Sequence, residues 1–144
     1  MKSIASILTF LLLQPFLGVI AVYYDGTYVI STVEDASGNP VNIPSGNFRI
    51  SLDRTDSSGS NYQFGLKVGN LVAGTMTIDG NTLSVGNFRA TTIPFPQEIE
   101  QFETTLTEML PSCDTISLLE LQSQVNIVTI LGPQGKIVAQ NDRV

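Results

Sequence analysis

Leu71-Val72-Ala73-Gly74-Thr75-Met76-Thr77-Ile78-Asp79-Gly80-Asn81-Thr82-Leu83 sets two β-rich runs around an Asp-Gly-Asn turn. Glycine tolerates the positive φ that a tight hairpin requires, so the stretch reads as a hairpin with strands over 71–78 and 82–85. Working outward, Tyr62, Phe64, Leu66 and Val68 alternate with a period of two before Gly69-Asn70, and Phe48, Ile50 and Leu52 alternate with Asn47, Arg49, Ser51 and Asp53. Both patterns describe half-buried strands. Further upstream, Thr27 to Val33 is a β-rich run suited to a barrel wall, and residues 36–46, with two Pro/Gly/Ser turn clusters, form a long connection. Downstream, residues 116–121, 125–131 and 136–140 add three strands, the last two joined through Gly132-Pro133-Gln134-Gly135.

The period changes once. After Pro94-Phe95-Pro96, the apolar residues Ile99, Phe102, Leu106, Met109 and Leu110 fall on one helical face. Pro96 suits the first helical position, Glu98 and Glu100 complement the positive end of the dipole, and Pro111 closes the element. A helix this short is marginal alone, so its stripe must rest on the sheet. The fold class expected is α+β: an antiparallel or small barrel-like sheet of about eight short strands with one amphipathic helix packed on it.

Composition removes most catalytic kits. The 144 residues contain no His, no Trp and one Cys, which excludes Ser-His-Asp and Cys-His mechanisms, thiolate zinc sites and an internal disulfide. A net charge of -6 argues against a nucleic-acid partner, whose affinity would come from cations on phosphates. Glu98, Glu100, Glu103 and Glu108 read as a solvated helix face opposite Ile99 and Phe102 rather than as an acid/base pair or calcium site. Asp53 and Asp56 around Arg54 read as a strand end and a turn, and Asp25-Gly26-Thr27 as the turn into the first strand. No Gly-rich loop opens a helix, so phosphate is not cradled. Cys113 reads as a buried or half-buried thiol just past the helix, with an intermolecular disulfide as the alternative. No catalytic residue, metal or cofactor is expected.

Residues 1–21 have the pattern of a signal peptide: Lys2 precedes an apolar run centred on Leu11-Leu12-Leu13, and cleavage is expected after Ala21. The rival is a retained membrane anchor, against which stand Gln14, Pro15 and the lack of a following basic cluster. The domain would then span 22–144, secreted or extracytoplasmic (periplasmic or at the cell surface in a bacterium), touching a membrane only through an uncleaved leader.

Three segments in order, Asp25-Gly26-Thr27-Tyr28-Val29-Ile30, residues 68–83 from Val68-Gly69-Asn70 to Leu83, and Ala90-Thr91-Thr92-Ile93-Pro94-Phe95-Pro96, resemble the META domain, or HslJ-like, family. The positions that carry this resemblance are Gly26, Tyr28, Asn70, Gly74 and Thr91, with Glu103 similar to a helix Glu of the family. Tyr28 stands where the family usually has Trp, Gly69 where it often has a first Cys and Phe95 where it often has a second, so any thiol or disulfide role there is lost. The resemblance implies a small secreted or surface domain without known enzymatic chemistry, in a binding, structural, stress- or virulence-related role.

A binding surface is expected at Tyr23, Tyr24 and Tyr62, each offering an apolar ring with a polar tip, with a core position the equal alternative for all three and the favoured one for Tyr62. The partner would be a protein or a small apolar ligand. A lipocalin-like carrier has the same coarse order of elements but needs a hollow, which Phe48, Phe64, Phe88 and Phe102 are expected to fill. A secreted protease inhibitor would use the loop from Gly38 to Ser45.

Overall fold

The computed structural model describes residues 22–57, 59–121 and 124–141; the leader expected over 1–21 lies outside them. Eight antiparallel strands, each beside its neighbour in sequence, close into a barrel: β1 (Gly26–Asp35), β2 (Arg49–Arg54), β3 (Asn61–Lys67), β4 (Leu71–Asp79), β5 (Thr82–Ala90), β6 (Thr115–Leu121), β7 (Val125–Gly132) and β8 (Gly135–Asn141). The helix α1 (Gln97–Met109) and a short 3-10 turn over Leu110–Ser112 separate β5 from β6. With strands dominating, α+β describes the molecule only loosely; a barrel carrying one helix describes it directly.

The hairpin reading holds in detail. Asp79 pairs with Thr82 across Gly80-Asn81, and Gly80 takes φ 62° at the first central position, where a two-residue primed turn accepts glycine. β5 runs beyond the expected Val85 to Ala90. Its register to β4 slips between the Thr75–Gly86 and Ala73–Arg89 pairs, next to Asn87 at φ 55°, so a bulge carries the strand past a break in the alternation. Gly74, opposite the bulge, has no room for a side chain: a Cβ there would lie 2.6 Å from the Phe64 ring and 2.8 Å from the Gly86 carbonyl.

The barrel is strongly staggered, and β5 meets β6 at a single pair, Thr82–Thr115. Beyond it β5 has no strand partner on that edge, and α1 lies across a cleft from its Phe88–Ala90 end, which positions the site described below. Alternate residues of the strands point inward, and Tyr28, Ile50, Leu52, Phe64, Leu66 and Ile130 fill the interior with at most 2% exposure. The expected aromatic filling is present: Phe48, Phe64 and Phe102 are buried, and Phe88 is half-buried against Phe64 with ring centroids 5.3 Å apart.

α1 lies over one mouth of the barrel. Phe102 meets Phe48 at 5.2 Å between centroids, Ile99 and Phe95 pack over Gly69, and Met109 reaches Gly135 in the β7–β8 turn. Pro96 is the N-cap, one residue earlier than its expected place, and the Phe95 N–H donates to Glu100 Oε1 at 2.9 Å, a side chain reaching back over the first turn. Phe102, Leu106, Met109 and Leu110 are buried, about 1.5–3 kcal/mol of transfer free energy for each large side chain. Glu103 corrects the sequence reading: it is only 9% exposed, whereas Glu98, Glu100 and Glu108 lie on the solvated face.

Candidate functional site

The expected surface of Tyr23, Tyr24 and Tyr62 does not form. Tyr24 and Tyr62 are 3% and 1% exposed and, with Tyr28, plug the mouth opposite α1. The reason is polar satisfaction. The Tyr24 N–H donates to Tyr62 Oη at 3.1 Å, Tyr28 Oη donates to the Tyr24 carbonyl at 2.8 Å, and Tyr24 Oη donates to the Gly80 carbonyl at 3.2 Å. Each hydroxyl engages backbone that would otherwise be buried unpaired, so the rings enter the core without stranding a polar atom. Burial raises the Tyr28 phenol from its ordinary range to about 12, with the nearby Asp25 charge adding to the shift, and raises Tyr24 and Tyr62 as well. Tyr23 alone is exposed; the Arg54 guanidinium lies 3.7 Å from its ring centroid and also pairs with Asp25 at 2.6 Å.

The family-type positions divide between the two ends. Gly26 and Tyr28 sit at the plugged mouth, and Gly74 lies beneath the Phe64 ring on β4. Asn70 and Thr91 meet Glu103 at the helix-covered mouth. Glu103 Oε2 accepts from the Asn70 N–H at 3.2 Å and from Asn70 Nδ2 at 3.3 Å. Asn70 Oδ1 accepts from Thr91 Oγ1 at 3.1 Å and from the Ile93 N–H at 2.6 Å, and Thr91 Oγ1 accepts from the Leu71 N–H at 3.1 Å. One asparagine thereby ties the β3–β4 turn, the linker after β5 and α1 together. The same contacts explain why a carboxylate tolerates near-burial, because two donors meet one of its oxygens.

This network borders a cleft of about 360 Å³ between α1 and the Phe88–Ala90 end of β5, lined by Asn70, Val72, Phe88, Arg89, Ala90, Glu100, Glu103, Thr104 and Thr107, with Val72, Phe88 and Ala90 on the inward face of their strands. Glu103 Oε1 accepts no hydrogen bond among the described residues and is not sealed from the cleft. Arg89, which pairs with Ala73 on the outward face of the sheet and also borders a neighbouring groove with Gln63, Thr75 and Asn87, makes no hydrogen bond or ion pair among the described residues. The cleft thus presents a fixed carboxylate beside the half-buried Phe88 ring, with Val72 sealed beneath it. Sequence reasoning gave Phe88 only as interior filling; that it also borders a cleft follows from the bulge before it. For Glu103 a signal existed, since it stands four residues after Ile99 and three before Leu106, inside the apolar stripe.

Elsewhere the chemistry is sparse. Cys113 is buried, its thiol pushed up to about 11 by burial, with Sγ 3.5 Å from the Met109 carbonyl. Among the described residues no cluster of three or more His, Cys, Asp or Glu is arranged to hold a metal, and no helix is long and apolar enough to cross a membrane. The loop from Gly38 to Ser45 folds back on the barrel: Pro40 bridges to Glu34, and the Val41 N–H donates to the Val33 carbonyl at 2.8 Å.

No family model matches the chain, and no curated protein matches it. Solved structures do share its fold. An NMR structure of a protein from Burkholderia xenovorans aligns with a TM-score of 0.64 at 18% identity, covering 83% of each chain. A second NMR structure aligns with a TM-score of 0.53 at 13% identity over 85% of this chain and 96% of that one. At such identities the likeness is one of fold alone.

Proposed function

We propose that the protein is an exported, non-enzymatic binding domain of the META, or HslJ-like, kind that takes its ligand at the helix-covered end of the barrel, in the cleft between α1 and β5. One observation carries the reading: side chains fill the barrel axis and both mouths are covered, while the cleft holds a nearly buried carboxylate with one oxygen unengaged. The resemblance draws support from two contacts. Asn70, Thr91 and Glu103 join in one hydrogen-bond network, and Gly69 abuts Phe95, so the two places where the family often has Cys are neighbours here. Export rests on the leader pattern over residues 1–21.

The barrel is also compatible with a carrier of a small apolar ligand, and one measurement separates the two. In an amide NMR titration against a mixed fragment library, shifts are expected to cluster on Val72, Phe88, Arg89, Ala90 and Thr104. Shifts clustered instead on interior residues such as Ile50, Leu66 and Ile130 would overturn the cleft reading and favour the carrier.

A further inference from the structure

The edge of β5 that turns away from β4 is open where it borders the cleft. The Thr91 N–H donates to the Leu71 carbonyl at 3.1 Å, and Arg89 pairs with Ala73. Peptide groups alternate sides along a strand, so the Phe88 carbonyl and both the N–H and the carbonyl of Ala90 point away from β4. None of the three has a hydrogen-bond partner among the described residues. An unpaired edge of this kind accepts another strand, and it persists in this barrel because β6 meets β5 at Thr82 alone.

The opposite wall is a helix face. The chain leaves β5 at Ala90 and returns to the Thr82–Thr115 pair through α1, so the helix descends beside the open edge. Glu100, Glu103, Thr104 and Thr107 line the cleft from α1 as neighbours on one helical side, two carboxylates without a base among them. Glu103 is nine-tenths out of water, its Oε2 is held by the Asn70 N–H and Nδ2, and its Oε1 accepts nothing among the described residues. A cationic donor reaching that oxygen meets a stronger field than it would at an exposed glutamate. Glu100, whose Oε1 accepts from the Phe95 N–H, adds its charge to the same wall.

We infer that the open edge of β5 at Phe88–Ala90 takes a short extended peptide as an added antiparallel strand, with a lysine or arginine of that peptide donating to Glu103 Oε1. The inference rests on the cleft reading above and names its ligand class. The basic residue sits opposite Ala90, its N–H donating to the Ala90 carbonyl and its carbonyl accepting from the Ala90 N–H. Paired residues share a face, so its side chain takes the inward side, where Ala90 borders the cleft with Glu103. Backbone bonds to β5 supply affinity and the acidic helix face supplies the choice of side chain.

Calorimetric titration of the purified protein with capped pentapeptides tests this. The probes are acetyl-TVKVT-amide, its counterpart with glutamate in place of lysine, and two N-methylated forms, one at the lysine nitrogen and one at the valine that follows. Saturable binding of acetyl-TVKVT-amide is expected, with the glutamate peptide about tenfold or more weaker. Methylation at the lysine removes the bond to the Ala90 carbonyl and is expected to weaken binding about tenfold, whereas the valine N–H turns away from β5 and its methylation leaves affinity near the parent value. Ala90→Pro deletes the edge N–H but no bond of the β4–β5 ladder, so the fold is expected to remain and peptide affinity to fall about tenfold. Glu103→Gln keeps an oxygen for Asn70 and is expected to remove most of the preference for lysine over glutamate. Should Glu103→Gln fail to fold, Thr104→Arg, on the exposed helix surface, puts a cation on the same wall and is expected to abolish that preference. No peptide binding, equal binding of the lysine and glutamate peptides, any other pattern of the two methylations, or parent-like binding by the Ala90 and Glu103 variants overturns the inference. Small fragments that map to the cleft while no peptide binds would remove this ligand class and leave the cleft reading standing. Fragments that map to the barrel interior would remove both.

Discussion

The two mouths of the barrel are closed by different means. At one, Tyr24, Tyr28 and Tyr62 turn inward and spend their hydroxyls on backbone groups within the plug. At the other, a helix brought in after β5 lays Phe102, Leu106 and Met109 over the opening and is tied down at its side by Asn70 and Glu103. The tyrosine plug consumes its polar capacity internally. The helix cover leaves an oxygen of Glu103 over, because β5 and β6 meet at a single pair and α1 fills the gap only partly. The arrangement that strands polar groups beside a cleft is the one that can recognise a ligand, and the fully satisfied one serves stability.

Removing a principal side chain from each end tests this division most severely. Tyr62→Ala and Phe102→Ala are each expected to cost about 3–5 kcal/mol in denaturant unfolding, as large core truncations do. A cost below about 1 kcal/mol at either position would mean that its mouth contributes little to the fold.

Next in size is a covalent staple at the helix end. Gly69 and Phe95 are in contact, so Gly69→Cys with Phe95→Cys is expected to form a disulfide that stabilises the oxidised double variant by about 3 kcal/mol over its reduced form. Two thiols that remain titratable under oxidising conditions would show that the contact is not held closely enough.

Single hydrogen-bond deletions should then expose the contrast directly. Tyr62→Phe strands the Tyr24 N–H, and Glu103→Ala strands two Asn70 donors; each is expected to lower stability by about 1–3 kcal/mol. Only Glu103→Ala should also remove ligand binding at the cleft. A binding loss from Tyr62→Phe would mean that the plug communicates with the other mouth.

The smallest effect is in pH. Tyr28 keeps its proton up to about 12 in the folded chain against 10.0 ordinarily, so its contribution to stability is complete below pH 10 and fades as pH rises toward about 12. Tyrosinate absorbance is expected to rise together with loss of far-ultraviolet dichroism in that window. Phenolate signal from all the tyrosines near pH 10, with the fold intact, would contradict the buried plug.

Much of this was legible in advance. Eight strands and one helix follow from runs of period two interrupted by a single stretch with spacings of three and four, together with Asp-Gly and Gly-Pro turns. The extension of β5 was not, since Gly86 and Asn87 break the alternation and only pairing to β4 keeps the chain extended. The tyrosines read equally as surface or core because an amphipathic ring suits either environment, and the Tyr24 carbonyl and N–H that decide the matter come from the chain's own fold. Glu103 looked solvated because charge outweighed its place in the apolar stripe.

By itself the sequence determined the periodicity of each element, the turn chemistry between strands and the absence of histidine, since these are properties of residue type and local spacing. Closure of the barrel, the placing of α1 beside β5 and the meeting of Asn70, Thr91 and Glu103 in one hydrogen-bond network were decided only by tertiary structure. The physical reason is that stagger between distant strands sets where β5 parts from β6, and that distance is written in no single segment.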